Sequence, residues 1–298
     1  MCDKKETLKH LMTKIQFSDN EQKTMIDTLE KVYADKVAGK WFSSLLAQYD
    51  ASEHCNYKQM LSDVKALGEA LDIHEYTMVL LLYLCMAEKL RQRYQERGLS
   101  EKLFYDTIMD FRYKLTECQL IYGVDGCFVG WWMNGYFELD RFALGRLQFE
   151  IRKTDAEYTV QGVVLPAGTK TINIHIPRTG TPLHHHEVWE SYRMAYELFA
   201  GELTDQPVVF SLKSWLADPW NMTVLSSGSN IYKFISDFEI VKSGLRDNYN
   251  LVWQLFDCLY TGDPEKLPRD TSFRRAYADR IARGEPVGWG YGLFIYKP

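Results

Sequence analysis

Residues 171–199 read TINIHIPRTGTPLHHHEVWESYRMAYELF, and this stretch decides the fold. Ile172, Ile174 and Ile176 alternate with Asn173 and His175, the two-residue period of a strand with one apolar and one polar face. Pro177, Gly180 and Pro182 interrupt that pattern as a loop. From about Leu183 the period changes, because Val188, Tyr192, Ala195, Leu198 and Phe199 recur at helical spacing. Strand, short loop and returning helix form one unit of an α/β sheet.

Both flanks extend the pattern. In RLQFEIR (146–152), Leu147, Phe149 and Ile151 alternate with Arg146, Gln148, Glu150 and Arg152, again a half-buried strand. YTVQGVVL (158–165) reads as one further strand and PAGT (166–169) as a turn. VVFSLKSW (208–215) is a strand, and SNIYKFISDF (229–238) a short helix capped by Ser229. EIVKS (239–243) with NLVWQLF (250–256) reads as a hairpin. TSFRRAYADRIAR (271–283) is a helix capped by Thr271 and closed by Gly284, and WGYGLFIY (289–296) is a last strand.

Upstream the chain has another character. All nine prolines and 12 of the 19 glycines follow Gly135, and a proline-free stretch suits helices. Ser18 and Glu21 make a capping box before the stripe Met25, Ile26, Leu29, Val32 and Tyr33. Tyr57 to Leu71 and Tyr76 to Leu90 carry two more stripes. Ser100 caps a fourth helix with Leu103, Phe104, Ile108, Phe111 and Leu115. The chain therefore divides into a helical part, 1–135, and a mixed-sheet part, 136–298.

Composition narrows the function. With 35 basic and 40 acidic residues among 298, the net charge is −5, and no basic stripe invites nucleic acid. The most apolar stretch, TMVLLLYLCM (77–86), is about half a bilayer span and predicts a buried helix. The amino terminus is charged and has no apolar signal core, and six scattered cysteines include no C-x-x-C pair. These features point to reduced thiols and a cytoplasmic setting.

RFALGRLQFEI (141–151), the 172–199 stretch, SWLADP (214–219), SNIYKF (229–234) and WGYGLF (289–294) together resemble a group of bacterial two-domain acyltransferases. Those proteins join a helical N-acyltransferase amino-terminal domain to a GNAT-like carboxy-terminal domain. The resemblance covers nearly the whole chain, most specifically 142–238. It implies an α+β or α/β fold class: an N-terminal helical bundle, then a GNAT-like mixed β-sheet flanked by helices. It also implies an acyl-CoA-dependent N-acyltransferase, with acetyl-CoA or another acyl-CoA as co-substrate, no metal, and a small-molecule or peptide amine as acceptor.

In such enzymes the loop after a central strand presents backbone N–H groups to the acyl-CoA pyrophosphate, aided by the helix dipole. Here that loop is Arg178, Thr179, Gly180, Thr181 and Leu183, with Gly180 for close approach and Arg178 for charge. The loop departs from the superfamily pattern, since Pro182 removes one donor. An ordinary strand-to-helix turn stays open as its explanation, and so does a catalytically silent ligand- or protein-binding module.

N-acyl transfer needs a base for the amine and an acid for the thiolate. His175, on the polar face at the strand end, is the preferred base, and Glu150 the second candidate. Tyr232 is the candidate acid, by likeness to tyrosines on the corresponding helix. Arg146, Gln148, Asn173, Ser214 and Asn230 are candidate substrate contacts. Each also has a structural explanation: a hydrogen-bonded strand-end histidine, a Glu150–arginine pair, a core tyrosine, a cap. His184, His186 and Glu190 match an HxHxxxE metal spacing and open a metal-dependent reading. On a helix, however, i and i+2 histidines point apart. The glycines of WGYGLF fit close backbone packing better than a phosphate loop.

Overall fold

The computed structural model describes residues 2–204, 206–246, 248–250 and 252–297. They form two compact units, Met1–Phe142 and Ala143–Pro298.

The first unit is helical: α1 (Cys2–Lys14), α2 (Asp19–Ala34), α3 (Lys36–Ala51), α4 (Tyr57–Ala70), α5 (Glu75–Glu96), α6 (Glu101–Ile108), α7 (Asp110–Tyr122) and α8 (Gly130–Phe137). Caps start these helices where the sequence places them. Ser18 and Glu21 complete a reciprocal capping box on α2, and Ser100 Oγ accepts from Leu103 N at 3.1 Å. The expected fourth helix is two, because the chain breaks at Met109 between α6 and α7. The run Thr77 to Leu84 is buried all round within α5, as its continuous apolarity requires. No helix among the described residues is long and apolar enough to cross a membrane.

The second unit is built on a six-stranded mixed sheet in the order β1-β2-β5-β6-β8-β7. Its strands are β1 (Arg141–Leu144), β2 (Leu147–Lys153), β5 (Lys170–His175), β6 (Val209–Ser214), β7 (Glu239–Arg246) and β8 (Val287–Ile295). The stretch 158–165 is not one strand but a hairpin of β3 (Tyr158–Val160) and β4 (Val163–Leu165). Gln161 and Gly162, both at positive φ, make its two-residue turn. Helix α9 (His185–Phe199) follows β5 and starts two residues later than the stripe suggests. Its Tyr192 packs on Phe149, Phe210 and Phe294, which form the apolar face of the sheet.

Short helices α10 (Asn221–Val224), α11 (Asn230–Ile235), α12 (Trp253–Phe256) and α13 (Ser272–Ala282) complete the unit. The expected hairpin partner of β7 is absent: 253–256 is helical, and Leu251 lies outside the described residues. Val252 and Phe256 instead join Phe273, Tyr277 and Ile281 of α13 in a core cluster. β7 pairs with β8. The glycines of β8 are there for contact. A Cβ at Gly290 would stand 1.9 Å from the Ala217 carbonyl oxygen, and one at Gly288 2.4 Å from the Asp218 carboxylate. Gly288 N donates to Asp218 at 3.0 Å.

Candidate active site

β2 and β5 run antiparallel with Gln148 opposite His175, Glu150 opposite Asn173, and Arg152 opposite Thr171. Alternation therefore lays the polar residues of both strands on one face. β5 and β6 are parallel and pair only at Ile172–Phe210 and Asn173–Ser211. Beyond that point the ladder between the two strands ends. The carboxyl ends of parallel strands are where α/β sheets bind ligands.

Beside these ends a hydrogen-bonded network crosses three strands. Arg152 grips Glu150 with two bonds of 2.9 and 3.0 Å. His175 Nε2 lies 2.8 Å from Glu150 Oε1 and 3.0 Å from Asn173 Nδ2. Ser211 Oγ donates to Asn173 Oδ1 at 3.3 Å and lies 2.8 Å from Thr171 Oγ1. One ring nitrogen cannot accept from Asn173 and also donate to Glu150. A bidentate guanidinium fork suits a carboxylate, which only accepts. The shorter, charge-assisted contact decides: Nε2–H donates to Glu150, and Nδ1 is the basic nitrogen. Glu150 is 3% exposed and the His175 side chain 22%, so the carboxylate is sheltered while the ring is reachable.

Tyr291 of β8 faces Lys213 of β6 across the ladder, and burial pushes its hydroxyl up to about 12. The Glu150–arginine pair expected from the sequence is formed by Arg152, whereas Ser211 and Tyr291 carry no role in the sequence analysis. Only the alternation within VVFSLKSW carried a signal for Ser211.

The loop after β5 is tied from below. Arg146 donates to the carbonyls of Pro177 (3.2 Å) and Thr181 (3.1 Å), so it holds the loop. Thr179 N donates to Pro177 O and Thr181 N to Thr179 Oγ1, and Pro182 has no N–H. The donors left for an anion are Gly180 and the first turn of α9, whose N-cap His184 makes no side-chain cap. Gly180 has φ +78° and open space where a Cβ would stand, so the turn favours glycine and its backbone lies uncovered by protein atoms. Leu183 is buried. Arg178 is ion-paired with Asp257, which also holds Arg274.

Tyr232 is half-exposed on α11, and no hydrogen bond joins it to His175 or Glu150. Asn230 opens the same helix, and Ser214 Oγ caps the turn at Leu216. His184 and His186 do not point apart, since His184 is extended and their rings stack at 5.8 Å. Glu190 is turned to Arg193. Among the described residues no group of three side chains is placed to hold a metal ion. A different pair closes the α9 start: His185 Nε2 is 2.9 Å from Asp237 Oδ1, and burial raises the Asp237 carboxyl.

The profile of a GNAT-like C-terminal domain matches residues 142–294, and that of an N-acyltransferase N-terminal domain matches residues 6–139. No curated protein matches the chain by sequence. Among solved structures, an acyltransferase in complex with decanoyl-CoA and teicoplanin is 19% identical, with a TM-score of 0.73 over 97% of this chain and 87% of that one. An acyltransferase variant in complex with octanoyl-CoA is 18% identical, with a TM-score of 0.74 over 98% and 88%. At this identity the likeness is one of fold.

Proposed function

The chain belongs to the family that joins an N-acyltransferase N-terminal domain to a GNAT-like C-terminal domain, and from that premise we infer that it moves an acyl group from acyl-CoA to an amine. The observation that carries this reading is the end of the β5–β6 ladder at Asn173 and Ser211, with the Glu150–His175 pair beside it. Past Asn173 and Ser211 the strands leave each other's backbone edges unpaired. An extended arm carrying amide groups, such as the pantetheine of acyl-CoA, can take up those hydrogen bonds. Gly180 and the uncapped start of α9 would receive the pyrophosphate, where N–H groups and the helix dipole favour an anion. Arg178 contributes there only by exchanging Asp257 for phosphate.

The chemistry then falls on the polar face. The amine nitrogen attacks the thioester carbonyl, an N–C bond forms and the C–S bond breaks. His175 Nδ1 takes the proton the amine loses. Glu150, held by Arg152, orients the ring and balances the imidazolium. The thiolate must gain a proton, and Tyr232 is the proposed donor. It stands half-exposed on α11, from which its hydroxyl can serve as that acid. A cytoplasmic setting suits this reading, because acyl-CoA is held there and the five described cysteines are free.

The test is a titration with acetyl-, octanoyl- and decanoyl-CoA. A ligand that binds only the folded chain raises the melting point as its concentration passes Kd, and an amine must then trigger thiol release. Absence of both responses with every donor would sink the reading.

A further inference from the structure

Lys213 is the residue on the polar face with no part so far. It lies two positions past Ser211 on β6, on the face where Ser211 meets Thr171 and Asn173. Its Nζ is held 4.9 Å from the centre of the Trp289 ring of β8. The indole itself is fixed, since a Cβ at Gly244 would stand 2.8 Å from Trp289 Nε1. Lys213 is exposed, and among the described residues no carboxylate pairs with it. His175 lies two residues past Asn173, the Cα partner of Ser211. His175 and Lys213 therefore stand on one face of adjacent strands, each two residues past the last paired position.

The charge balance of that face is specific. On its β2, β5 and β6 positions the one acid is Glu150, which is buried and gripped by Arg152. The exposed charges on those strands are Arg152 and Lys213, and the nearby Asp155 is paired with Lys242, in a chain of net charge −5. A bare ammonium is repelled by such a face, whereas an amine that also carries a carboxylate is drawn to it. The phosphates of acyl-CoA do not claim this cation on the reading above. Helix α9, whose start would hold them, packs on the opposite, apolar face through Tyr192.

Taking acyl transfer at the β5/β6 strand ends as the reading on which it rests, we propose that Lys213 anchors the acceptor and that the acceptor class is an amine bearing a carboxylate. The anchored carboxylate leaves the amine on the His175 side. Trp289 holds the lysine in place.

The experiment measures thiol release by the full chain from acetyl-CoA and octanoyl-CoA. Acceptors are amino acids and their carboxamides, compared at equal concentrations of neutral amine. The carboxylate member is expected to have a kcat/KM roughly 10- to 100-fold higher, as a charge-assisted contact supplies. Lys213→Met erases that ratio by raising the acceptor KM, and Lys213→Arg keeps it. Equal rates for the pair in the unmodified protein overturn the proposal. So does a ratio that survives in Lys213→Met, or a variant whose acyl-CoA KM rises in place of the acceptor's. Failure of every amine to trigger thiol release overturns the acyl-transfer reading, and this proposal with it. Transfer without preference overturns the acceptor assignment alone.

Discussion

The two faces of the central sheet are made by adjacent residues of the same strands, yet they are held by different physics. Phe149, Ile174 and Phe210 point to α9, where Phe210 and Phe294 stack at 5.1 Å and Tyr192 packs against both. Their neighbours Glu150, His175 and Ser211 point the other way into the hydrogen-bonded network. The apolar face is stabilised by area removed from water, which is non-directional. The polar face gains little net stability from its hydrogen bonds, because each replaces one to water. What it gains is a fixed geometry. Stability and chemistry can therefore be separated by changing residues one position apart.

The largest separation is expected at His175. His175→Ala should lower kcat by roughly 10²- to 10⁴-fold, the usual worth of a general base. The melting point should hardly change, since the ring is partly solvated and its bonds are weak net contributors. Steady-state kinetics and a thermal melt on the same sample check this. Normal turnover with a lowered melting point would make His175 structural and erase the contrast between the faces.

Phe210→Ala is the converse. Phe210 is fully buried among Phe149, Tyr192, Phe294 and Tyr296, and removing such a ring costs about 3–5 kcal/mol. Urea unfolding should show that loss, while kcat of the folded fraction stays within a few-fold. A collapse of kcat at low urea would mean that the faces are mechanically coupled.

Arg152→Met sharpens the comparison within the polar face. The guanidinium is 62% exposed but forks onto a Glu150 side chain that is only 4% exposed. Losing it removes both of those bonds from Glu150 and leaves the ring less firmly aimed. About a tenfold fall in kcat is expected, on the scale of one charge-assisted bond after allowance for exposure. Because Arg152 positions and does not touch substrate, the acidic limb of the pH–rate profile should move as well. An unchanged profile would reduce Arg152 to a surface ion pair.

Much of this contrast is legible in the sequence, for a local reason. Alternation is a property of one strand, so RLQFEIR and TINIHIP place Glu150, Asn173 and His175 on their faces without knowledge of the fold. Strand order and register are not local. That Ser211 meets Asn173, or that Trp289 lies under Lys213, depends on β6 lying between β5 and β8. The same holds for Arg178, whose partner Asp257 is 79 residues away. The 250–256 segment misleads because its apolar residues suit a strand. Asp257 takes a left-handed conformation at φ +59°, and the segment turns its side chains to α13 instead. In YTVQGVVL the dipeptide Gln-Gly is a weaker turn signal than Asn-Gly, which hides the hairpin.

The smallest expected effect comes from the tyrosines. Each face buries one, Tyr192 on the apolar side and Tyr291 on the polar side. Burial raises both hydroxyls, that of Tyr291 to about 12. Unfolded tyrosine loses its proton near pH 10. Between pH 10 and 12 the unfolded chain therefore binds fewer protons than the folded one, and stability falls as pH rises. A fully buried hydroxyl would contribute a slope of about 1.4 kcal/mol per pH unit. Tyr291 is only partly buried and hydrogen-bonded to Ser211 and Thr171, so screening should hold its share to about 0.5 kcal/mol per unit. Tyr291→Phe should flatten the urea midpoint between pH 10 and 11 by that amount. Tyr192→Phe, on the better-sealed face, should flatten it more. Equal slopes in both variants would show that water reaches the two faces alike, and the division between a sealed apolar face and a wetted polar one would fail at its weakest point.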